Sequence, residues 1–148
     1  MHPSERDSIS FMTHAGRIDR QDQMDGPLAD KTLAVKDLFD VRGFNTGAGN
    51  PSWLESHPPA ENDAWAVDRL MKAGTNLVGK TLTDEMAYSL IGANHFYGTP
   101  PNPKAPDRIP GGSSSGSASV VAQGFVDLAI GTDTGGSVRI PASFCGLY

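Results

Sequence analysis

Two glycine turns separated by one apolar helix and one apolar strand restrict the folds open to this chain more than any other feature. The first is Gly111-Gly112-Ser113-Ser114-Ser115-Gly116-Ser117 and the second is Gly131-Thr132-Asp133-Thr134-Gly135-Gly136-Ser137. Between them, Ser117 to Gln123 reads as a helix stopped by Gly124, and Val126 to Ile130 as the interior of a strand. Glycine and serine are also what flexible linkers use. A linker, however, has no reason to lead straight into a buried helix and strand. A phosphate loop fails on detail, because it needs Lys followed by Ser or Thr after its second glycine, and Gly116 is followed by Ser117 and Ala118.

The same alternation is legible upstream. Thr32-Leu33-Ala34-Val35-Lys36 is a short apolar run that delivers Lys36 to the end of a strand, extended by Phe39-Asp40-Val41 towards Gly43. From Gly43 to Pro59 the density of Gly, Asn, Ser and Pro predicts a loop without regular structure, with Trp53 and Leu54 as its pinning contacts. Asn62 or Asp63 caps a helix that places Ala64, Val67, Leu70 and Met71 on one face, with Gly74 at its C-terminal stop. Asn76 to Lys80 is the next strand, and Thr81 or Thr83 opens a short helix through Ser89. Gly92 to Pro110 is a long, proline-rich loop. Residues 1–27 form a polar lead-in with one helix, in which Ile9 and Met12, and Phe11 and Ile18, have helical spacing. Residues 28–148 form the core of a single domain. The expected fold class is therefore α/β, a mixed β-sheet covered by helices.

Composition removes several classes of function. A formal net charge of −5 with scattered Lys and Arg leaves no basic stripe to track a phosphate backbone, which argues against nucleic acid. No run approaches the roughly 18 apolar residues of a membrane span, and Met1 to Ser10 has no apolar export segment. The single cysteine, Cys145, excludes an internal disulfide and reads as a small buried hydrophobe, so the cytoplasm is the default location. His2, His14, His57 and His95 do not have metal-ligand spacing, and neither a metal nor a cofactor is expected.

The second turn carries the chemistry. It places Ser137 at a sharp strand exit, where glycines let several backbone N–H groups point at one place, as an oxyanion hole requires. An ordinary turn with a serine cap fits the same residues taken alone. The span Gly111 to Gly146, however, resembles the signature of the amidase signature family: Gly-Gly-Ser-Ser-Ser-Gly-Ser, an apolar strand, then Gly-Thr-Asp-Thr-Gly-Gly-Ser-Val-Arg-Ile-Pro. Ala34-Val35-Lys36-Asp37 is similar to the segment that bears the family's lysine, and the resemblance extends from Gly26 to Tyr148.

That resemblance implies an amidohydrolase in which Ser137 attacks an amide carbonyl, Ser113 relays the proton and Lys36 accepts it. It also implies a cis peptide before Ser113, and an oxyanion hole drawn from the backbone N–H groups of Thr134, Gly135, Gly136 and Ser137. Ser114 supports the loop, and Asp133 and Arg139 brace it as a charge-assisted pair. A serine hydroxyl is a weak nucleophile until a base takes its proton, and a lysine kept neutral by burial can do so. Lys80, at the end of a strand as well, reads as a structural or solvated lysine.

Gly26-Pro27-Leu28 to Trp53, Asp84 to Ser89 and Asn94 to Pro100 resemble the plant-type indole-acetamide amidases and their bacterial relatives. This implies a small carboxamide, such as an aryl-acetamide, as the partner molecule. Two rivals stand beside it: the A subunit of a glutamine-dependent tRNA amidotransferase, and a non-catalytic interaction module like the related chloroplast import receptors. A homodimer is left open. Because family members run to several hundred residues, the chain is expected to be the N-terminal part of its enzyme.

Overall fold

The computed structural model describes residues 10–11 and 15–148, so the readings placed on His2, Ile9, Met12 and His14 lie outside the described residues. Three strands form a parallel sheet in the order β2-β1-β3: β1 is Thr32–Lys36, β2 is Asn76–Thr81 and β3 is Leu128–Ile130. Among the described residues four α-helices accompany them, α1 at Pro51–Ser56, α2 at Trp65–Lys72, α3 at Ser115–Ala122 and α4 at Arg139–Phe144. This is the α/β class expected. The sheet acquires its mixed character at the outer edge of β2, where Phe11 bridges Thr81 and Arg20 bridges Leu77, both antiparallel.

Side chains alternate across a strand, and β1 uses both faces. Leu33 and Val35 enter a core with Val67 and Met71 of α2, Leu77 of β2, Ile18 and Val41. Ala34 points the other way, into a second core with Val120 of α3 and Val126. Lys36 therefore shares the α3 side of the sheet with Ala34. The register Val35↔Ile130 sets the end of β1 beside the end of β3. The sheet thus brings together three things: Lys36, the start of α3 and the loop after β3.

Several local expectations are corrected. The helix read in residues 1–27 falls largely outside the described residues; from 15 to 27 the chain runs without a helix along β2, with Ile18 N–H donating to Val78 O at 3.0 Å and Arg20 N–H to Leu77 O at 3.1 Å. β1 does not continue into Phe39-Asp40-Val41, because the N–H groups of Leu38 and Phe39 both return to Lys36 O and close a turn. The segment read as an unstructured loop contains α1, with Pro51 in its first turn and Asn50 Oδ1 accepting from Trp53 N–H at 2.9 Å. Trp53 pins nothing in the core: it is 39% exposed and stacks on His57 at 3.8 Å between ring centroids.

α2 is capped at Ala64 without a side-chain bond, because Asp63 is taken by Arg20 and by the Arg42 N–H. Gly74, at φ +101°, ends that helix as expected. Thr81 belongs to β2, and the helix expected through Ser89 is reduced to one 3₁₀ turn, Glu85–Ala87, since Met86 and Ala87 both have left-handed backbone (φ 50° and 56°). α3 begins two residues before Ser117, β3 begins at Leu128, and α4 follows the second glycine turn where no helix was read.

Candidate active site

Lys36 is fully buried, and its Nζ donates to Ser113 Oγ and to Thr132 Oγ1, each at 2.7 Å. Ser113 arrives there because it stands two residues before the first turn of α3, and the Gly112-Ser113 peptide is cis. Thr132 arrives from the other side, two residues past the end of β3. Burial pulls the Lys36 ammonium down from its ordinary value near 10.5 to about 8, while the carboxylates of Asp84 and Asp133 act in the opposite direction. A lysine in this setting is neutral in a useful fraction at mildly alkaline pH.

The two glycine turns are stitched together by Ser114. Its N–H donates to Ser137 O at 3.0 Å and its Oγ reaches Thr132 O at 3.4 Å. Ser115 has a buried Oγ with no partner among the described residues. Asp133 organises the second turn: its carboxylate accepts from the N–H groups of Gly136, Val138 and Arg139 and from both Nε and Nη2 of the Arg139 guanidinium. The bonds from Arg139 hold its proton affinity far below the usual carboxylate range. The Gly136 N–H is thereby already engaged, at 2.8 Å. Of the four N–H groups assigned to an oxyanion hole, those of Thr134, Gly135 and Ser137 have no backbone or side-chain acceptor among the described residues.

Ser113, Thr132 and Ser137 line a cavity of about 750 Å³ together with Leu38, Met86, Tyr88 and Leu90. No charged residue lines this cavity among the described residues. Ser137 Oγ makes no hydrogen bond among those residues and opens onto the same space as Ser113. Two contributors escaped the sequence reading. Thr132 lies inside the motif but was passed over beside Asp133, and Met86 owes its place in the wall to a left-handed conformation that its residue type does not signal.

Lys80 is buried rather than solvated. It pairs with Asp37 at 2.8 Å and donates to Asn45 O and Thr46 Oγ1, which separates it from the serines. Cys145 is buried, and desolvation raises its thiol to about 11, which makes it inert as a nucleophile. Among the described residues no three His, Cys, Asp or Glu side chains are grouped as a metal site, and no helix is long and apolar enough to cross a membrane.

A parallel sheet covered by helices, with a buried lysine set against a serine at the end of its first strand, defines an α/β protein. The chain belongs to the Amidase family, whose model matches residues 8–148. It is 59% identical over 117 residues to Amidase 1 of Arabidopsis thaliana, a match that takes in 79% of this chain and 28% of that protein. It is 50% identical over 123 residues to the A subunit of the glutamyl-tRNA(Gln) amidotransferase of Haloarcula marismortui, covering 83% of this chain and 28% of that one. The Kluyveromyces lactis allophanate hydrolase structure superposes with a TM-score of 0.80 at 34% identity, over 91% of this chain and 23% of that protein. The chain thus spans less than a third of the length of these relatives.

Proposed function

We propose that the protein is an amidohydrolase that cleaves a small carboxamide with an apolar acyl group to the acid and ammonia. The observation that carries this reading is the 2.7 Å contact between Lys36 Nζ and Ser113 Oγ, sealed from solvent at the edge of the cavity that Ser137 enters. In the neutral state Lys36 accepts the Ser113 proton while Ser113 accepts that of Ser137, and Ser137 Oγ bonds to the amide carbon. The carbonyl oxygen takes the negative charge and faces the N–H groups of Thr134, Gly135 and Ser137, where each donor contributes on the order of 3 kcal/mol if side-chain precedent transfers. Collapse breaks the C–N bond, and the proton stored on Lys36 returns through Ser113 to the departing nitrogen. Water then repeats the sequence on the acyl-enzyme.

The cavity wall favours an apolar acyl group over glutamine. Glutamine carries an α-ammonium and an α-carboxylate, both of which need charged or strongly polar partners. The lining offers Leu38, Met86 and Leu90 beside uncharged Tyr88, Ser89 and Thr134, and no charged residue among the described residues. The test is ammonia release by the intact protein from an aryl-acetamide and from glutamine under identical conditions. Release from the aryl-acetamide alone supports the proposal, and release from glutamine alone replaces it with the amidotransferase reading.

A further inference from the structure

We infer that Asp84, which lies outside the serine-lysine set, is a positioning residue that grips the relay serine and acts on Lys36 through its charge. This rests on the reading of Lys36 as the base.

The grip is built from both sides. Asp84 backbone N–H donates to Ser113 O at 3.1 Å, and Gly112 N–H donates to Leu90 O at 3.0 Å. Asp84 Oδ2 accepts from Gly92 N–H at 3.1 Å, which closes the 84–92 segment into a ring that holds Gly112 and Ser113 against it. The carboxylate itself lies where a side chain at position 112 would go. A Cβ added to Gly112 meets Asp84 Oδ2, with the carboxyl carbon at 2.8 Å and Gly92 N also at 2.8 Å. Glycine at 112 is therefore what lets a buried carboxylate touch the backbone that carries the relay serine.

The charge has few other outlets. Asp84 is 1% exposed, and its Oδ1 has no hydrogen-bond partner among the described residues. Among the described residues the carboxylates of Asp84 and Asp133 act on Lys36, and the Asp37–Lys80 pair lies at the ends of β1 and β2. Asp37, the residue after β1, and Lys80 of β2 neutralise each other, and in the loop after β3 Asp133 is matched by Arg139 and three N–H groups. Among the described residues Asp84 is the carboxylate acting on Lys36 that has no ion-pair partner of its own, and it opposes the effect of burial on the lysine. Burial alone makes a neutral but feeble base, and a nearby negative charge restores its basicity.

The experiment is the pH profile of kcat/KM for aryl-acetamide hydrolysis in Asp84→Asn, Asp84→Glu and Lys36→Ala forms of the intact protein. Asp84→Asn keeps an oxygen for the Gly92 N–H and removes the charge. Its acid limb moves to lower pH by about one unit, its plateau kcat falls about tenfold, and its KM stays near the parent value. Asp84→Glu returns the limb towards its original position. A limb unmoved in Asp84→Asn, with Lys36→Ala losing it, overturns the role of Asp84 and leaves Lys36 as the base. A limb that survives Lys36→Ala overturns both. If Asp84→Asn does not fold, Asp84→Ser carries the same measurement, and failure of both variants to fold makes Asp84 a folding residue and ends the proposal.

Discussion

The Lys36 ammonium donates to two hydroxyls at once, Ser113 Oγ and Thr132 Oγ1, at the same 2.7 Å. The pairing matters after the proton is lost. A neutral amine keeps two N–H donors and gains one lone pair, and a donor held on Thr132 turns that lone pair towards Ser113. Burial lowers Lys36 to about 8, so the base is charged and idle at acid pH and becomes competent as pH rises through that value. The expected kcat/KM profile climbs on its acid limb with an apparent pKa near 8. Lys36→Ala flattens the limb, and Lys80→Ala leaves it in place. Finding that Lys80 governs the limb instead would show that the base had been misassigned.

The same burial has a consequence for stability with the opposite sign to a salt bridge. A lysine whose folded pKa lies below its unfolded one binds its proton more tightly when unfolded, so the charged form works against folding. The penalty is full below about 8 and disappears above the ordinary value near 10.5. It amounts to a cost on the order of 3 kcal/mol at neutral pH. Lys36→Met removes the charge and orphans Ser113 and Thr132, which offsets part of the gain. The variant is expected to be at least as stable as the parent at pH 7, with the difference falling as pH rises from 8 towards 10. Urea titrations across that range check it. A difference independent of pH would contradict the assignment of burial as the cause.

Ser137→Ala removes the hydroxyl beside the free N–H groups of the second turn, and hydrolysis is expected to fall by several orders of magnitude. Binding of an unreactive amide should change little, since the cavity wall is untouched. A fluorophosphonate probe is expected to attach at Ser137. Mass mapping that places the label on Cys145 would be surprising, given a thiol held near 11, and would redirect the nucleophile assignment.

How far the sequence could be read depended on whether a signal was local. β1, β2 and the helix behind Gly74 follow from apolar periodicity and glycine stops, both short-range properties. The convergence of Lys36 on Ser113 was implied by resemblance, but its physical cause is the alternation of β1, which sends Ala34 and Lys36 to the α3 face. α1 was missed because Asn50-Pro51-Ser52 reads compositionally as loop, although an asparagine cap followed by proline is also how a helix starts. Met86 and Ala87 could not have been found at all. Neither residue type favours a positive φ, and the turn is fixed by a distant contact, the Met86 N–H on Ala48 O at 2.8 Å. Lys80 and Asp37 were likewise invisible as a pair, since only the parallel register of β1 and β2 brings them together.

That pair supports the last prediction. Asp37 and Lys80 are both wholly buried at 2.8 Å, and each is also tied to the loop between them: Asp37 Oδ2 accepts from Gly47 N–H at 3.0 Å, while Lys80 Nζ donates to Asn45 O and Thr46 Oγ1. The loop they fix leads to Ala48, whose carbonyl takes the Met86 N–H, and Met86 lines the cavity. Removing one member leaves the other as a buried, uncompensated charge, a cost of about 3 to 5 kcal/mol. Lys80→Met is therefore expected to lose stability on that scale and to raise KM through the displaced Met86, with a smaller effect on kcat. The double replacement Asp37→Asn with Lys80→Met leaves no charge behind and should recover part of the stability. Because the loop stays without its two anchors, KM should remain elevated in the double variant. Chemical denaturation and steady-state kinetics on the three forms separate the two effects. A Lys80→Met form that loses less than about 1 kcal/mol would mean that the pair carries no more than an exposed salt bridge does, and that the cavity wall is held by other contacts.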